Sequence, residues 1–219
     1  MSQRIFQLLL DSFWRILLPG LKVTVPLTLL SFFLGLVIAV ITALVQVADL
    51  KVLKQLARFY VWVFRGTPLL VQLFIIFFGL PGIGIVLDAF PAAVIAFSLN
   101  VGAYTSETIR SAILAIPKGQ MEAGLTVGMS YIQIMRRIIL PQAMRVAFPP
   151  LFNSFIGLTK DTSLAASITV VEMFREAQVI AARTYEPFAL YCEVAFIYLM
   201  ICTVLTKVQA YGEKKLSKY

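Results

Sequence analysis

The chain contains no histidine, and only 14% of its 219 residues are charged. The first lack removes the commonest general base and the commonest metal ligand. Cysteine is scarce too. Cys192 and Cys202 stand ten apart in one apolar run, a spacing that suits neither a metal site nor a redox motif. No GxxxxGK phosphate cradle occurs, and Gly79, Gly82 and Gly84 do not complete a dinucleotide fingerprint. A membrane-embedded enzyme would need a nucleophile and a base at workable spacing, and none is found. The expectation is a chain with no catalytic residues, no metal and no cofactor of its own, which draws its energy from a partner or an ion gradient.

What is abundant is apolar surface. Hydrophobic residues make up 60% of the chain and the mean hydropathy is +0.89, against just under half apolar and roughly a quarter charged in an ordinary soluble domain. Lipid must cover that excess. Uncharged stretches run over 23–48, 66–87, 89–106, 146–159 and 194–206, the last extended backward past Glu193. Three satisfy the length of a span and two are short or broken. The pattern predicts an all-α integral membrane protein of about five transmembrane helices, forming one domain over 1–219. Arg4, Asp11 and Arg15 interrupt the N-terminal stretch, so no cleaved signal peptide is expected.

The net charge of +8 does not point to nucleic acid, because the basic residues lie between the apolar runs. Lys51, Lys54, Arg58, Arg110, Lys118, Arg136, Arg137, Arg145 and four lysines of the tail fall in one set of alternate connections. Arg4, Arg15, Lys22, Arg175 and Arg183 fall in the other. The positive-inside rule then puts the N-terminus outside and the C-terminus in the cytoplasm. Small residues recur every fourth position at Ser31, Gly35, Ala39 and Ala43, and at Ser98, Gly102 and Ser106. Such faces let helices pack closely in lipid.

The long basic connection is patterned as two short helices joined at Gly128, the second opened by a capping box at Ser130 and Gln133 and ended by Pro141. Polar residues within apolar runs mark a pathway or a pair. Asn100, Tyr104, Glu107 and Ser111 form one helical stripe. It either lines a path or serves to clip Glu107 to Arg110. Lys160 and Asp161, followed by Thr162 and Ser163, fall about 20 Å into the fourth span and offer an anion and a cation partner to a zwitterionic amino acid. A Lys160–Asp161 arrangement that only fixes packing is the other reading. Arg65, Gly66, Thr67 and Pro68 read as a helix start, with Gln72 beyond and Arg65 facing the bundle or the cytoplasmic interface. Glu193 is expected to reach back to water.

Glu122-Ala123-Gly124, then Gly128, then Ile138-Ile139-Leu140-Pro141 resembles the cytoplasmic EAA loop of binding-protein-dependent ABC importer permeases, with Gly124 where alanine is usual. Arg65 to Gln72, Gly102-Ala103-Tyr104 with Glu107 and Arg110, Pro117 to Gln120, and Asn153 through Leu164 extend the likeness across nearly the whole chain. They resemble the polar amino-acid permeases of the histidine, arginine, glutamine and cystine type, most of all the cystine permeases. The resemblance implies a type I ABC importer permease fold in a bacterial inner membrane. It implies a second permease subunit, most simply an identical one, and an extracytoplasmic substrate-binding protein. It also implies a cytoplasmic ATPase dimer that holds the ATP and Mg.

By the same resemblance Glu122, Ala123, Gly124, Gly128, Arg136 and Arg137 couple to the ATPase. Asn100, Tyr104, Glu107, Lys160, Asp161, Thr162 and Ser163 meet the amino-acid substrate. Arg65, Thr67, Pro68 and Gln72 gate or pack. Transport would proceed by alternating access. The rival is an ion-coupled secondary amino-acid carrier, against which the lack of an internal inverted repeat speaks.

Overall fold

A computed structural model describes residues 3–48 and 51–216, and among them every regular element is helical. Helix α1 (Gln3–Pro19) passes through a π-type turn (Gly20–Thr24) into α2 (Val25–Val47), one helical course of 45 residues. Helix α3 (Lys51–Gly66) bends by 106° into α4 (Leu69–Phe74), which continues through a π-type turn (Ile75–Gly79) and a 3-10 turn (Leu80–Ile83). Then come α5 (Ala89–Leu114), α6 (Lys118–Thr126) and α7 (Tyr131–Ile134). A π-type turn (Met135–Ile139) joins α7 to α8 (Leu140–Asp161), which tightens into a 3-10 turn (Thr162–Ile168). Helices α9 (Met173–Thr184) and α10 (Pro187–Leu216) follow.

All three π-type turns end two residues before a proline: Pro26, Pro81 and Pro141. The cause is steric. A proline inside a helix removes one N–H and drives its ring against the carbonyl four residues back. Widening the preceding turn by one residue moves that carbonyl aside and keeps the helix going. The bonds Val25 N–H to Gly20 O, Leu80 N–H to Ile75 O and Leu140 N–H to Met135 O are these wide closures. Pro141, expected to end the second loop helix, therefore does not end it: the chain runs on into α8.

The courses Gln3–Val47, Ala89–Leu114 and Pro187–Leu216 are long and apolar enough to cross a membrane, and the bent pair of α3 with Leu69–Ile83 makes a fourth if taken as one span. Composition thus gives three or four crossings where five were expected. Helix α8 has the length, with 22 residues, but carries Arg145, Lys160 and Asp161. It packs against α5, α10 and α2, and a helix lined by neighbours needs less apolar surface than one facing lipid.

Helices α2 and α5 form the closest pair. A Cβ on Gly35 would lie 3.0 Å from the Ser98 carbonyl, and one on Gly102 would lie 2.7 Å from the Tyr60 hydroxyl. The small-residue faces are thus used within this chain. The opposite stripe of α2, with Phe33, Val37 and Ile41, is exposed, as are Phe196, Leu199 and Val204 on α10. These surfaces need lipid or another subunit.

Three apolar clusters hold the bundle. Leu27, Leu73, Phe97, Leu158 and Ile168 join α2, α4, α5 and α8. Ala39, Ile109, Ile134, Ile139 and Ala147 tie the α6–α7 loop to α2, α5 and α8. Ile16, Met173, Ile180, Leu190 and Ile197 join α1, α9 and α10. Glu193 sits inside this third group rather than at water: it is buried and accepts the Ser12 hydroxyl at 2.5 Å. The α1 helix packs over it and closes the route outward, and bonding a buried carboxyl costs less than leaving it bare. Glu172 is buried nearby. One oxygen caps α9 by accepting the Arg175 N–H, and the other accepts the Tyr198 hydroxyl. Burial raises the Glu172 carboxyl pKa above its ordinary value, and these hydrogen bonds offset only part of that rise.

Candidate translocation site and coupling loop

The α5 stripe faces the bend between α3 and α4. That bend breaks a helix and leaves its last carbonyls without partners. Gln72, buried on α4, supplies the missing donor. Its side-chain N–H group donates to Phe64 O at 2.8 Å, Thr67 O at 3.1 Å and Thr67 Oγ1 at 2.9 Å. Thr67 in turn donates to Val63 O. Asn100 on α5 fixes the amide by donating to Gln72 Oε1 at 2.9 Å. One turn on, Tyr104 donates to Arg65 O, and the Arg65 guanidinium lies 5.4 Å from the centre of the Tyr104 ring. The helix start expected here forms, with Pro68, extended at φ −65° and ψ 138°, as the N-cap of α4 and Leu69 as its first residue.

Glu107 is clipped to Arg110 at 2.8 Å. It also borders a cavity of about 640 Å3 with Arg65, Tyr104 and Ser111, so the clip forms and the stripe still meets open space. A cavity of about 370 Å3 gathers Thr67, Pro68, Asn100, Tyr104, Ser154 and Asp161. Residues assigned separately to gating and to substrate therefore share one wall.

The Lys160-to-Ser163 turn does not present its four side chains to one place. Neighbours on a helix point about 100° apart. Asp161 faces the 370 Å3 cavity with Ser154 and Gly157, at i, i−7 and i−4, while Lys160 and Ser163 border a separate cavity of about 540 Å3 with Tyr191 and Tyr198. Thr162 is buried and donates to Thr159 O at 2.7 Å. Ser163 donates to Lys160 O. Ser154 and Gly157 went unnoticed as wall residues. Their spacing from Asp161 was the signal that would have found them.

The basic loop is rigid by its own chemistry. Helix α6 ends in a Schellman motif: Gly128 N–H bonds Leu125 O at 2.9 Å and Met129 N–H bonds Gly124 O at 3.0 Å, with Gly128 at φ +80°. Ser130 and Gln133 form the expected capping box. Gly124, which weakens α6 as a helix former, serves packing: a Cβ there would stand 2.6 Å from Ile134 Cγ1. Around the turn, Leu125, Val127, Tyr131 and Ile132 are exposed, beside exposed Glu122, Ala123, Arg136 and Arg137.

A helical membrane bundle that encloses a polar cavity and projects a capped, apolar-tipped loop has the architecture of a transporter permease. Residues 32–218 match the family described as binding-protein-dependent transport system inner membrane component, and the chain belongs to that family. It is 53% identical over 215 residues to the L-cystine transport system permease protein TcyB of Bacillus subtilis (strain 168), covering 98% of this chain and 92% of that one. It is 46% identical to the probable amino-acid ABC transporter permease protein PatM of Vibrio harveyi, over 93% and 92%. Among solved structures, that of an amino acid ABC transporter with histidines is 33% identical at a TM-score of 0.90, over 98% of this chain and all of that one. The fold is that of a type I ABC importer permease.

Proposed function

We propose that this chain is the permease subunit of a binding-protein-dependent ABC importer for polar amino acids, with L-cystine as the substrate, in a bacterial inner membrane. It spans the membrane five times, N-terminus outside, with α8 as the fourth crossing and α4, beyond the bend from α3, in the second. Two copies pair over two cytoplasmic ATPases, which hold the ATP and Mg, and an extracytoplasmic binding protein delivers substrate to the outer face. The chain itself hydrolyses nothing.

The observation that carries this reading is the α6–α7 loop. Its apolar tip, Leu125, Val127, Tyr131 and Ile132, is exposed on a turn that both helix caps hold stiff. A stiff apolar knob flanked by Glu122, Arg136 and Arg137 suits a protein cleft better than solvent. Its inner side is anchored through Ile134 and Ile139 to α2, α5 and α8, so movement of the knob is transmitted to the walls of the polar cavity. Alternating access needs that link: the permease must favour the outward state when the ATPases are closed and the inward state otherwise. Asp161, Asn100, Tyr104 and Ser154 are the groups offered to the substrate ammonium and carboxylate. Lys160, Thr162 and Ser163 act from the other side of the same turn, by holding its shape. An ion-coupled carrier is disfavoured by the family, whose members work with a binding protein.

The test is purification of the complex from its native membrane, with reconstitution into vesicles. Uptake of L-cystine is expected to need ATP and the binding protein and to survive collapse of the ion gradients. Glu122→Arg or Arg137→Glu is expected to leave membrane insertion intact and abolish uptake. Asp161→Asn is expected to lower uptake more than it lowers assembly. A complex without an ATPase, or uptake driven by an ion gradient alone, removes the proposal.

A further inference from the structure

A second cavity, of about 590 Å3, lies between α3 and the cytoplasm-facing ends of α2 and α5 in the orientation proposed above. Its wall is basic. Lys54, Arg58 and Arg65 reach it from α3, four and seven residues apart and so on one face of that helix, and Arg110 reaches it from α5. Among the described residues Glu107 is the one acid on the wall, and it is already bound to Arg110 at 2.8 Å. Arg58 has no carboxylate partner among the described residues. Basic residues that only set topology need to lie on the correct side of the membrane. They do not need to converge from two helices on one cavity, where Arg58, Arg65 and Arg110 repel one another with one carboxylate between them among the described residues.

We propose that this cavity binds the phosphate headgroup of an anionic phospholipid of the cytoplasmic leaflet. The face of α3 turned away from the basic stripe exposes Leu56 and Phe59, and Trp62 borders the cavity while remaining 71% exposed. The 106° bend sets α3 across the direction of α4. An amphipathic helix lying across the spans, with cations on one face and large apolar side chains on the other, is an interfacial helix. Basic pockets between helices at that depth bind lipid headgroups. A free inorganic phosphate would meet the same cations, but only a lipid also supplies the acyl chains that cover Leu56 and Phe59. The inference depends on the orientation proposed above and not on the substrate or the ATPase.

Trp62 makes the test direct, because Trp14 is the only other tryptophan. In a Trp14→Phe background the full chain, in mixed micelles, is titrated with brominated phosphatidylglycerol or brominated phosphatidylcholine. Quenching of Trp62 is expected to favour the anionic lipid by about tenfold, and Arg58→Gln is expected to cut that preference about fivefold. Arg58→Lys, which keeps the charge, retains the preference. So does Lys51→Gln, which removes an equal charge from the same helix outside the cavity wall. Equal quenching by the two lipids overturns the proposal. An equal loss in Lys51→Gln and Arg58→Gln overturns it too, in favour of diffuse surface charge. Relief of quenching by inorganic phosphate transfers the site to free phosphate, and relief by the amino-acid substrate transfers it to the transport path. Because the readout is lipid selectivity without ATP, failure here leaves the importer reading standing, and failure of uptake leaves this site standing.

Discussion

Two breaks in helical structure carry most of what this protein is proposed to do, and they are held by opposite means. The α6–α7 turn is secured from within: Gly128, Met129, Ser130 and Gln133 bond to groups no more than five residues away. The α3–α4 bend is secured from outside. Gln72 reaches back five and eight residues to the freed carbonyls, and it is itself fixed by Asn100, 28 positions along the chain, while Tyr104 pins Arg65 from 39 away. A locally capped turn moves as one body, which suits a lever. A bend capped by a neighbouring helix registers every shift of that neighbour, which suits the wall of a cavity that must open and close.

The sharpest way to break the comparison is to remove the remote cap. Gln72→Leu keeps the volume and leaves Phe64 O, Thr67 O and the Asn100 amide short of a partner. A buried polar group left unpaired costs ~1–3 kcal/mol, but Phe64 and Asn100 are half-buried and Thr67 is exposed, so water relieves part of it and the expected loss is about 2 kcal/mol. Thermal unfolding of the reconstituted complex reads it. Gln72→Glu keeps the acceptor for Asn100 but turns a buried carboxylate toward Phe64 O and Thr67 O, and is expected to lose at least as much as Gln72→Leu. A loss below about 1 kcal/mol in Gln72→Leu would mean that the bend is maintained by apolar packing alone.

The same contrast explains what could be read in advance. Local signals were legible: the capping box, the glycine turn, the small-residue faces of α2 and α5, and the three strongly apolar courses follow from spacing along the chain. Pro141 was misread because proline announces a break, and nothing local says that a wide turn will absorb it. Glu193 was sent to water because the covering helix α1 lies some 180 residues away in sequence, as the 181-residue separation of its bond to Ser12 records. Lys160 and Asp161 were grouped because they are adjacent, although helical geometry separates them. The amphipathic helix α3 was passed over as a basic connection, since Lys51, Lys54 and Arg58 dominate its first half. At the site, Asn100 and Tyr104 were picked out by stripe and polarity. Gln72 and Arg65 were picked out too, as residues that gate or pack, but their pairing with Asn100 and Tyr104 was not legible, because a side-chain amide that caps a helix 28 residues earlier in the chain leaves no periodic trace.

A smaller effect tests whether the loop is as self-contained as its caps suggest. Gly124→Ala should favour α6 by up to ~1 kcal/mol on helix propensity. The added methyl, however, would stand 2.6 Å from Ile134 Cγ1 and 2.8 Å from its Cδ1, and Ile134 is fully buried. Overpacking of this kind costs ~1–3 kcal/mol, so the net change is a loss of about 1 kcal/mol. Ile134→Ala opens a cavity and is also destabilising alone. The two together are expected to cost less than their sum, because each relieves the other. Strict additivity would show that the loop helices are not in contact where the structure puts them.

The smallest effect concerns the capping box, whose two halves differ. Ser130 N–H donates to Gln133 Oε1 at 2.8 Å, whereas Gln133 N–H reaches Ser130 Oγ only at 3.4 Å. An N-cap serine is worth ~0.5–2 kcal/mol, and so long a bond places this one at the low end, about 0.5 kcal/mol. Ser130→Ala is therefore expected to leave global unfolding unchanged and to speed hydrogen exchange of the α7 amides by about twofold, the factor for that free energy. Gln133→Ala removes the shorter bond and is expected to speed it at least as much. If Ser130→Ala instead slows uptake severely while exchange is unaltered, the serine hydroxyl is engaged by the ATPase, and the turn is held in the complex by its partner rather than by its own caps.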